Sequence, residues 1–192
     1  MVIVLWPARR RPAAEAPAQA PAYTGNARRI DWGRIRWKHW EDPQSGVSLD
    51  YPAIWRPDRL LDAFLQQPLA DLKRAPIVGF RESTPVVIYR YSAPAPLELE
   101  AWLRKVETVP ALREEFGSQV TARGVTTVSG RPALAVQGIG ATRGALWNYR
   151  SLFFASKREA YRVTAGADQR DWQVIAPIFD RLLGSVRFAP RD

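Results

Sequence analysis

The sequence predicts an α+β fold in which helices cover an antiparallel sheet. Several stretches alternate apolar and polar residues with the period of two that is typical of strands. Short turns rich in Gly, Pro, Ser and Asp join many of these stretches, so neighbouring strands should pair antiparallel. Two other segments, near the middle and the end of the chain, follow the period of amphipathic helices.

A hairpin opens the predicted domain. From Ile30 onward the chain alternates as a strand, with Ile35 and Trp37 on one face. Residues 42 to 46 supply turn chemistry, and residues 47 to 51 resume the alternation as a second strand. The other face of the first strand carries three basic side chains, which are Arg34, Arg36 and Lys38.

The middle of the chain mixes strands and helices. Residues 77 to 82 and 86 to 91 are predicted strands, while residues 58 to 75 give no clear assignment. Residues 96 to 107 place apolar side chains at i, i+3, i+4 and i+7, which predicts an amphipathic helix. A second helical segment over residues 110 to 116 ends before a glycine. Helices placed between strands in this way fit a layered α+β fold.

The second half of the chain predicts a run of antiparallel strands followed by a helix. The helix opens at Asp168, turns its apolar side chains inward and stops at Gly184. Residues 185 to 188 then return to the sheet as a short edge strand. Four strands joined by short turns precede the helix, over residues 119 to 128, 132 to 140, 145 to 155 and 159 to 165.

Length and composition fit one domain with a tail. The chain has 192 residues, 46% of them hydrophobic, which is enough apolar surface for a folded core. We expect a tail over residues 1 to 29 and one domain over residues 30 to 189. The net charge of +9 is concentrated in the first 40 residues, where eight basic and two acidic residues give +6. The body of the domain is therefore close to balanced in charge.

The tail combines an apolar start, three arginines and a spacer rich in Pro and Ala. Residues 1 to 6 are far fewer than the roughly 20 residues that a membrane-spanning helix needs. Two interpretations stay open: the end of a membrane anchor that starts further upstream, or a solvated cytoplasmic tail. The first predicts an extracytoplasmic, anchored domain whose Arg9, Arg10 and Arg11 meet an anionic membrane surface. The second predicts a cytoplasmic protein.

The composition excludes much of enzyme chemistry. Without cysteine the chain has no thiol nucleophile and no thiolate metal site, and His39 is its single histidine. No nucleophile elbow of the G-x-S-x-G type is present. Packing or surface exposure is the favoured interpretation of His39, because a metal site usually needs a second His or a Cys. We expect no catalytic residue, no metal and no cofactor.

Three glycines in the strand run resemble part of a dinucleotide-binding fingerprint: Gly138, Gly140 and Gly144. A phosphate site also needs a helix N-terminus directly after the glycines. Here strand-like residues follow instead. A flexible hairpin or bulge is therefore the favoured interpretation.

The stretch from residue 28 to 40 is the clearest candidate for binding. As a strand it would project Arg34, Arg36 and Lys38 from one face about 7 Å apart, near the spacing of successive phosphates. Trp32 and Trp37 would then stack on bases or lie at a lipid headgroup layer, which would make an anion-binding module. The alternative is structural, with charges that protect an edge strand and indoles that face the core. Specific reading of nucleic acid is the least favoured of these interpretations.

Four segments of the chain form an ordered set of motifs. They are the run from Gly46 to Trp55 with its Tyr-Pro pair, the hairpin of residues 125 to 136, the strand of residues 161 to 164, and the run from Phe179 to Phe188. In this order they resemble the PsbP-like (Mog1/PsbP/DcrB-like) families. The resemblance covers residues 31 to 189 and leaves out the tail.

The resemblance implies an α/β/α sandwich around a twisted antiparallel sheet. It also implies a non-catalytic binding or assembly domain with a protein partner, because these families include photosystem II accessory proteins, lipoproteins and secretion chaperones. The chain departs from the lipoprotein members, since it lacks their anchor cysteine. The matched residues have implied roles in turns, strand ends, the core and the helix exit, and they are Gly46, Tyr51, Pro52, Trp55, Gly130 and Ser185.

Overall fold

The structure is a computed structural model, and it describes residues 26–58, 73–81, 86–92, 99, 118–142, 145–156 and 159–189. In this part of the chain there are two short 3-10 turns, Asn26–Arg29 and Trp32–Arg34, and one long helix, α1 (Trp172–Gly184). The strands there are β1 (Trp37–Glu41), β2 (Val47–Pro52), β3 (Arg56–Asp58), β4 (Lys73–Arg81), β5 (Val86–Ser92), β6 (Ser118–Val128), β7 (Arg131–Thr142), β8 (Ala145–Ser156), β9 (Glu159–Asp168) and β10 (Arg187–Phe188).

Seven of these strands form one antiparallel sheet, in the order β3-β4-β5-β9-β8-β7-β6. The strands β6 to β9 correspond to the predicted run of four, and each pairs with the next along the chain. β4 and β5 overlap the strands predicted over residues 77 to 82 and 86 to 91. The shorter strands β1, β2 and β10 form a second sheet. The predicted α+β class with an antiparallel sheet is confirmed.

The main core lies between the seven-stranded sheet and α1. The register places Ile88, Val163 and Leu152 side by side across β5, β9 and β8. Ile175 and Phe179 of α1 belong to the same buried cluster. Burying one apolar side chain of this size stabilises the fold by about 1.5–3 kcal/mol. The inward-facing apolar side of the last helix, which the sequence predicted, is confirmed.

The second sheet adds its own apolar side chains to this core. Val47 of β2 is completely buried there. Ser185, directly after α1, joins the helix to β2, because its Oγ accepts a hydrogen bond from the Asp50 amide at 2.9 Å and donates one to the Leu182 carbonyl at 2.6 Å. β10 then pairs with β2 at the edge of the second sheet, so the short edge strand predicted over residues 185 to 188 is confirmed for its last two residues.

Two of the motif glycines lie in turns, and both have the left-handed backbone conformation with positive φ. Gly46 has a φ of +71°, and an added Cβ would lie 1.9 Å from the Ala189 carbonyl oxygen. Ser129 and Gly130, with φ of +49° and +77°, form the two-residue turn between β6 and β7. Consecutive positive φ values are typical of the hairpin turn whose twist matches that of its strands. Both glycines have the structural role that the resemblance implied.

The structure differs from the sequence expectations at the N-terminal side of the domain. The first strand begins at Trp37 rather than at Ile30, because residues 32 to 34 form a 3-10 turn. Asn26–Arg29, which the sequence assigned to the tail, form a turn in which Ala27 is completely buried. This packing places the four residues with the domain. The short strand β3 was not predicted.

Other predicted elements lie outside the described residues. They are the helix over residues 96 to 107 except for the helical Leu99, the helix over residues 110 to 116, and residues 1 to 25 of the tail. Residues 59 to 72 of the unassigned segment over residues 58 to 75 also lie outside them. Within the described ranges α1 packs on one face of the sheet, so helices on both faces stay a prediction. In the same ranges no helix has the length and apolarity that crossing a membrane requires.

Candidate functional site

The basic, tryptophan-rich stretch folds as a turn followed by a strand. The turn Trp32–Arg34 is closed by the Arg34 amide, which donates to the Asp31 carbonyl at 3.1 Å. The Asp31 carboxylate also pairs with the Arg34 guanidinium at 3.3 Å. Of the three predicted cations, Lys38 is in a strand and Arg34 and Arg36 are not. The prediction that the three project from one strand face at regular spacing is therefore wrong.

All three cations are accessible to solvent. The side chain of Arg34 is 90% exposed, and Arg36 and Lys38 are also exposed. The Arg36 carbonyl accepts a hydrogen bond from the Ala53 amide at 2.8 Å, which fixes the backbone just before β1. The three positive charges therefore lie in the turn, just before β1 and in β1, and they do not form a single row.

The two candidate tryptophans pack against the domain. Trp32 donates a hydrogen bond from Nε1 to the Ala27 carbonyl at 2.9 Å, and its ring meets buried Trp55 edge-on at 6.3 Å. Trp37 is half-buried, and the Arg181 guanidinium lies 4.1 Å from its ring centroid in a cation–π contact. Both indoles thus have partners inside the domain, as the packing interpretation of this stretch expects.

His39 lies at the surface, with its side chain 60% exposed. Its Nδ1 is 2.9 Å from Oδ1 of Asp50, which the register places directly opposite on β2. Within the part of the chain that the structure describes, no group of three or more His, Asp and Glu side chains is placed to hold a metal ion. The interpretation of His39 as a surface residue is confirmed.

Gly138 and Gly140 lie inside the strand β7. Between them β7 keeps its register with β8, with Tyr149 opposite Gly138 and Trp147 opposite Gly140. A Cβ added to Gly138 would come within 2.1 Å of the Tyr149 hydroxyl oxygen, so the glycine makes room for that ring. β7 and β8 pair as a hairpin up to Thr142 opposite Ala145, and the pairing of β7 with β6 shifts register next to Gly138. The interpretation of these glycines as part of a hairpin or bulge is therefore confirmed. Gly144 lies outside the described residues.

A polar corner forms where β9 leads into α1. The buried Asp168 carboxylate accepts hydrogen bonds from the Arg170 guanidinium at 2.8 and 2.9 Å, and these bonds lower the pKa of Asp168 to about 2. Buried Asp171 pairs with Arg28 at 3.4 Å. A cavity of about 370 Å³ lies beside these two pairs, next to Trp172. Because each guanidinium faces a carboxylate, the charges of this corner balance.

The long strand β6 forms one edge of the seven-stranded sheet. It has eleven residues and pairs with β7 on one side. Among the described residues, no strand pairs with its other side. Residues 119 to 127 are all exposed, and Arg123 is the one charged residue of the strand. Such an edge presents backbone N–H and C=O groups on which another chain can pair.

An apolar row of side chains runs from the inside of the sheet to this edge. The register places Phe153 of β8 opposite Leu134 of β7, and Leu134 opposite Val125 of β6. Phe153 is 2% exposed, whereas Val125 is 85% exposed, the largest value among the large apolar side chains of the described surface. The row therefore ends in solvent at Val125.

A groove flanks β6 on the face of the sheet that α1 covers. Its cavity of about 280 Å³ lies between the strands β6 to β8 and the C-terminal half of α1. Arg150 of β8 and Asp180 of α1 line the groove and form an ion pair, and burial lowers the pKa of Arg150. Thr126 of β6 and Gln137 of β7 line it on the side of the edge. The groove thus offers both charges and neutral hydrogen-bonding groups beside β6.

The fold is similar to those of several solved proteins. Cyanobacterial PsbP (CyanoP) from Synechocystis matches with a TM-score of 0.60 at 13% identity, over 83% of this chain and 96% of that chain. LpqN of Mycobacterium tuberculosis, which is involved in cell envelope biogenesis, matches with a TM-score of 0.50 at 12% identity, over 82% of this chain and 92% of that chain. No protein-family profile matches the sequence, and no curated protein matches it significantly.

These likenesses establish a PsbP-like fold for the chain. The resemblance of the four motifs to the PsbP-like families therefore predicted the fold correctly. At 13% identity or less, the likeness describes the fold and transfers neither a site residue nor an activity.

Proposed function

We propose that the chain is a non-catalytic domain that binds a polypeptide partner, and that the partner docks on β6. The observation that carries this proposal is the exposed edge of that strand, eleven residues long with one charge, no proline and Val125 in solvent. An extended segment can add to such an edge as a further strand, and backbone hydrogen bonds then supply the affinity.

The surroundings of β6 give such docking a source of specificity. Side chains of an added strand alternate between the two faces of the sheet. Those on the groove side would meet Thr126 and the ion pair of Arg150 with Asp180. Those on the opposite face would meet the exposed end of the apolar row at Val125. A partner with alternating polar and apolar residues fits both faces.

The non-catalytic character is part of the proposal. It is supported by composition, because the chain has one histidine and no cysteine. It is also supported by the engagement of polar groups: His39 contacts Asp50, and buried Ser151 shares a hydrogen bond with Thr164 at 2.8 Å. These pairings favour structural roles for groups that could otherwise serve catalysis.

We further propose that the domain works at a membrane surface, held there by its N-terminal tail. The support is the sequence of that tail, in which six apolar residues precede Arg9, Arg10 and Arg11 and a Pro/Ala spacer. The fold neighbour LpqN is involved in cell envelope biogenesis, which is in keeping with such a location. Cells that express the chain from its native locus can be separated into soluble and membrane fractions. Recovery in the soluble fraction alone would contradict this part.

The size of the native complex tests the docking part. The chain would be chemically cross-linked in cells that express it at its native level, and the products would be resolved by electrophoresis. We expect an assembly larger than the 21.7 kDa chain. Val125→Lys should reduce its size, because a lysine on an edge strand opposes strand addition. Val174→Lys, at an exposed valine of α1, is the matched control and should leave the size unchanged. An assembly that Val125→Lys does not change, or no assembly, contradicts the proposal.

Anion binding at the basic stretch is the second candidate function. The exposure of Arg34, Arg36 and Lys38 supports it. The stacking role of Trp32 and Trp37 has less support, because both indoles pack against the domain. We therefore expect any anion binding to depend on charge alone and to weaken with salt.

A further inference from the structure

A regular stretch of β6 has a natural midpoint. Residues 122 to 128 pair with β7 without interruption. The register shifts between Val120 and Ala122 on one side, and the turn at Ser129 ends the strand on the other. The middle residue of this stretch is Val125, which is also its most exposed apolar side chain.

A second copy of this stretch can pair with it as an antiparallel strand, about a two-fold axis that passes between the two Val125 residues. Val125 then lies opposite Val125 of the second copy, and every other residue of the stretch has a partner. The outer pairs are Gly124 with Thr126, Arg123 with Thr127, and Ala122 with Val128. Because Arg123 faces an uncharged residue, no like charges lie opposite each other.

Two neighbouring registers, with the axis at Arg123 or at Gly124, are less favourable. An axis at Arg123 would place two guanidinium groups directly opposite each other, which destabilises a strand pair. An axis at Gly124 would place Val120 opposite Val128 and would extend the new ladder across the irregular position between Val120 and Ala122. The axis at Val125 avoids both problems.

Pairing about this axis would also cover Val125, the exposed end of the apolar row. Across β8, β7 and β6 the row consists of Phe153, Leu134 and Val125. With the axis at Val125, the row would continue through Val125 of the second copy into the matching row of that copy. The side chain that is most exposed in one copy would thus meet its own equivalent, and apolar cross-strand pairs of this kind stabilise a sheet.

The charge of the chain does not prevent this pairing. Each copy carries +9, yet the stretch from 122 to 128 contains one charge, Arg123, two residues from the axis. The two Arg123 positions would lie about 14 Å apart along the strands, beyond the screening length of about 8 Å at physiological salt. Because both copies carry the same sign of charge, added salt should not weaken the association, whereas it would weaken the binding of an anionic partner.

We infer that the polypeptide that docks on β6 is a second copy of this chain, so that two sheets join into one across a two-fold axis at Val125. The inference rests on the proposed function, because it takes β6 to be the docking edge. The shared ladder is about 24 Å long. Such a small interface belongs to the weak class, so the dimer should dissociate in the micromolar range or above.

Sedimentation velocity of the purified full chain tests this self-association. From roughly 1 µM to 1 mM, the wild-type protein should shift from the mass of the 21.7 kDa chain to twice that mass. Val125→Lys should stay monomeric over the whole range, and Val174→Lys should follow the wild type. Because Val125 is 85% exposed, its substitution should leave thermal unfolding unchanged, which separates loss of the dimer from loss of the fold.

Single engineered cysteines test the register. The chain has no cysteine of its own, so each new one reports on one contact. Oxidised Val125→Cys should form a covalent dimer, because residues directly opposite in an antiparallel pair are within reach of a disulfide. Thr127→Cys is the matched control, exposed and on the same face of β6. It should not cross-link, because its copy would lie about 14 Å away.

The outcomes separate this inference from the proposed function. A purified chain that stays monomeric at the highest concentration, with no Val125→Cys dimer after oxidation, would overturn self-pairing. If the native assembly in cells still depended on Val125, β6 would remain the docking edge with a different polypeptide on it. A dimer that survives Val125→Lys and cross-links through Thr127→Cys would overturn the axis at Val125.

Discussion

The two edges of the seven-stranded sheet are built differently. The edge at β3 is three residues long and consists of Arg56, Pro57 and Asp58. It combines two charges with a proline, which has no backbone N–H to donate. The edge at β6 is eleven residues long, has no proline and carries one charge, Arg123. One edge has the features that block strand addition, and the other lacks most of them.

This difference bears on how the exposure of β6 should be interpreted. Natural sheets shorten, charge or bend the edges that must stay unpaired. At β3 this chain uses the first two of these devices. At β6 it has an irregular position between Val120 and Ala122, but the seven residues from 122 to 128 are regular and nearly uncharged. The contrast indicates that the two edges have different roles, and β6 is the one suited to a partner.

The largest effect on stability should come from the inner strands, not from the exposed edge. Ile88 of β5 is completely buried, so Ile88→Ala should lower the free energy of unfolding by about 2–5 kcal/mol. Val125→Ala on β6 should change it by no more than about 0.5 kcal/mol, because the side chain is 85% exposed. Chemical denaturation measures both. Equal losses of unfolding free energy at the two positions would contradict the assignment of β5 to the packed core and of β6 to an exposed docking edge.

The Asp168–Arg170 pair between β9 and α1 should contribute less to the free energy of unfolding, and its contribution should depend on pH. Arg170 lowers the pKa of buried Asp168 to about 2, below the ordinary value of roughly 4. The stability from this group is therefore present above about pH 4 and is lost as the pH falls toward 2. Asp168→Asn should cost about 1–2 kcal/mol at neutral pH, and this difference should shrink below pH 4.

Urea unfolding at several pH values measures this effect. Asp31→Asn is the control, because Asp31 forms an ion pair whose side chains are 66% and 90% exposed. Such an exposed pair contributes little to the free energy of unfolding, so the control should show only a small change. If the two variants had the same pH profile, the assignment of the acid-sensitive stability to Asp168 would be wrong.

The sequence predicted well the elements that are determined by local residue pattern and turn chemistry. The strands β6 to β9 and α1 follow from alternation, helical period and tight turns, and the structure has them within a few residues of the expected positions. The strand predicted over residues 30 to 36 is wrong for a local reason. Alternating basic and apolar residues suggested a strand, but the bonds between Asp31 and Arg34 close a turn there.

The candidate docking site was beyond what the sequence could predict. Residues 119 to 128 were expected to form a strand, and Val125 was one alternating residue within it. Its position at an edge depends on the order of seven strands, which long-range pairing sets. The stretch from 28 to 40 stood out instead, because charge and tryptophan content are visible in the sequence whereas strand order is not.

A smaller effect is expected at the basic stretch. Replacing Arg34 and Arg36 by Glu should lower the salt concentration at which the chain elutes from heparin, because both side chains are exposed. The variant should keep the association that depends on Val125. Complete loss of heparin retention, together with loss of that association, would favour the anion-binding candidate over the docking edge.

The smallest effect should come from unblocking the β3 edge. Replacing Arg56 and Pro57 by Thr removes a charge and the proline from that edge. The association state should stay as it is in the wild type, because a three-residue strand is at the lower limit of strand length and offers a short ladder. Sedimentation velocity of the variant checks this. New self-association through β3 would show that blocking residues, and not strand length, keep that edge unpaired.

The most direct test of the docking edge compares the two edges in one experiment. A photo-cross-linking amino acid would replace Val125 of β6 or, in a second version, Arg56 of β3, in cells that express the chain at its native level. Both positions are exposed, so both probes can reach a bound polypeptide. We expect a discrete polypeptide adduct from position 125 and none from position 56. An adduct from position 56 with none from position 125 would contradict the assignment of β6 as the docking edge.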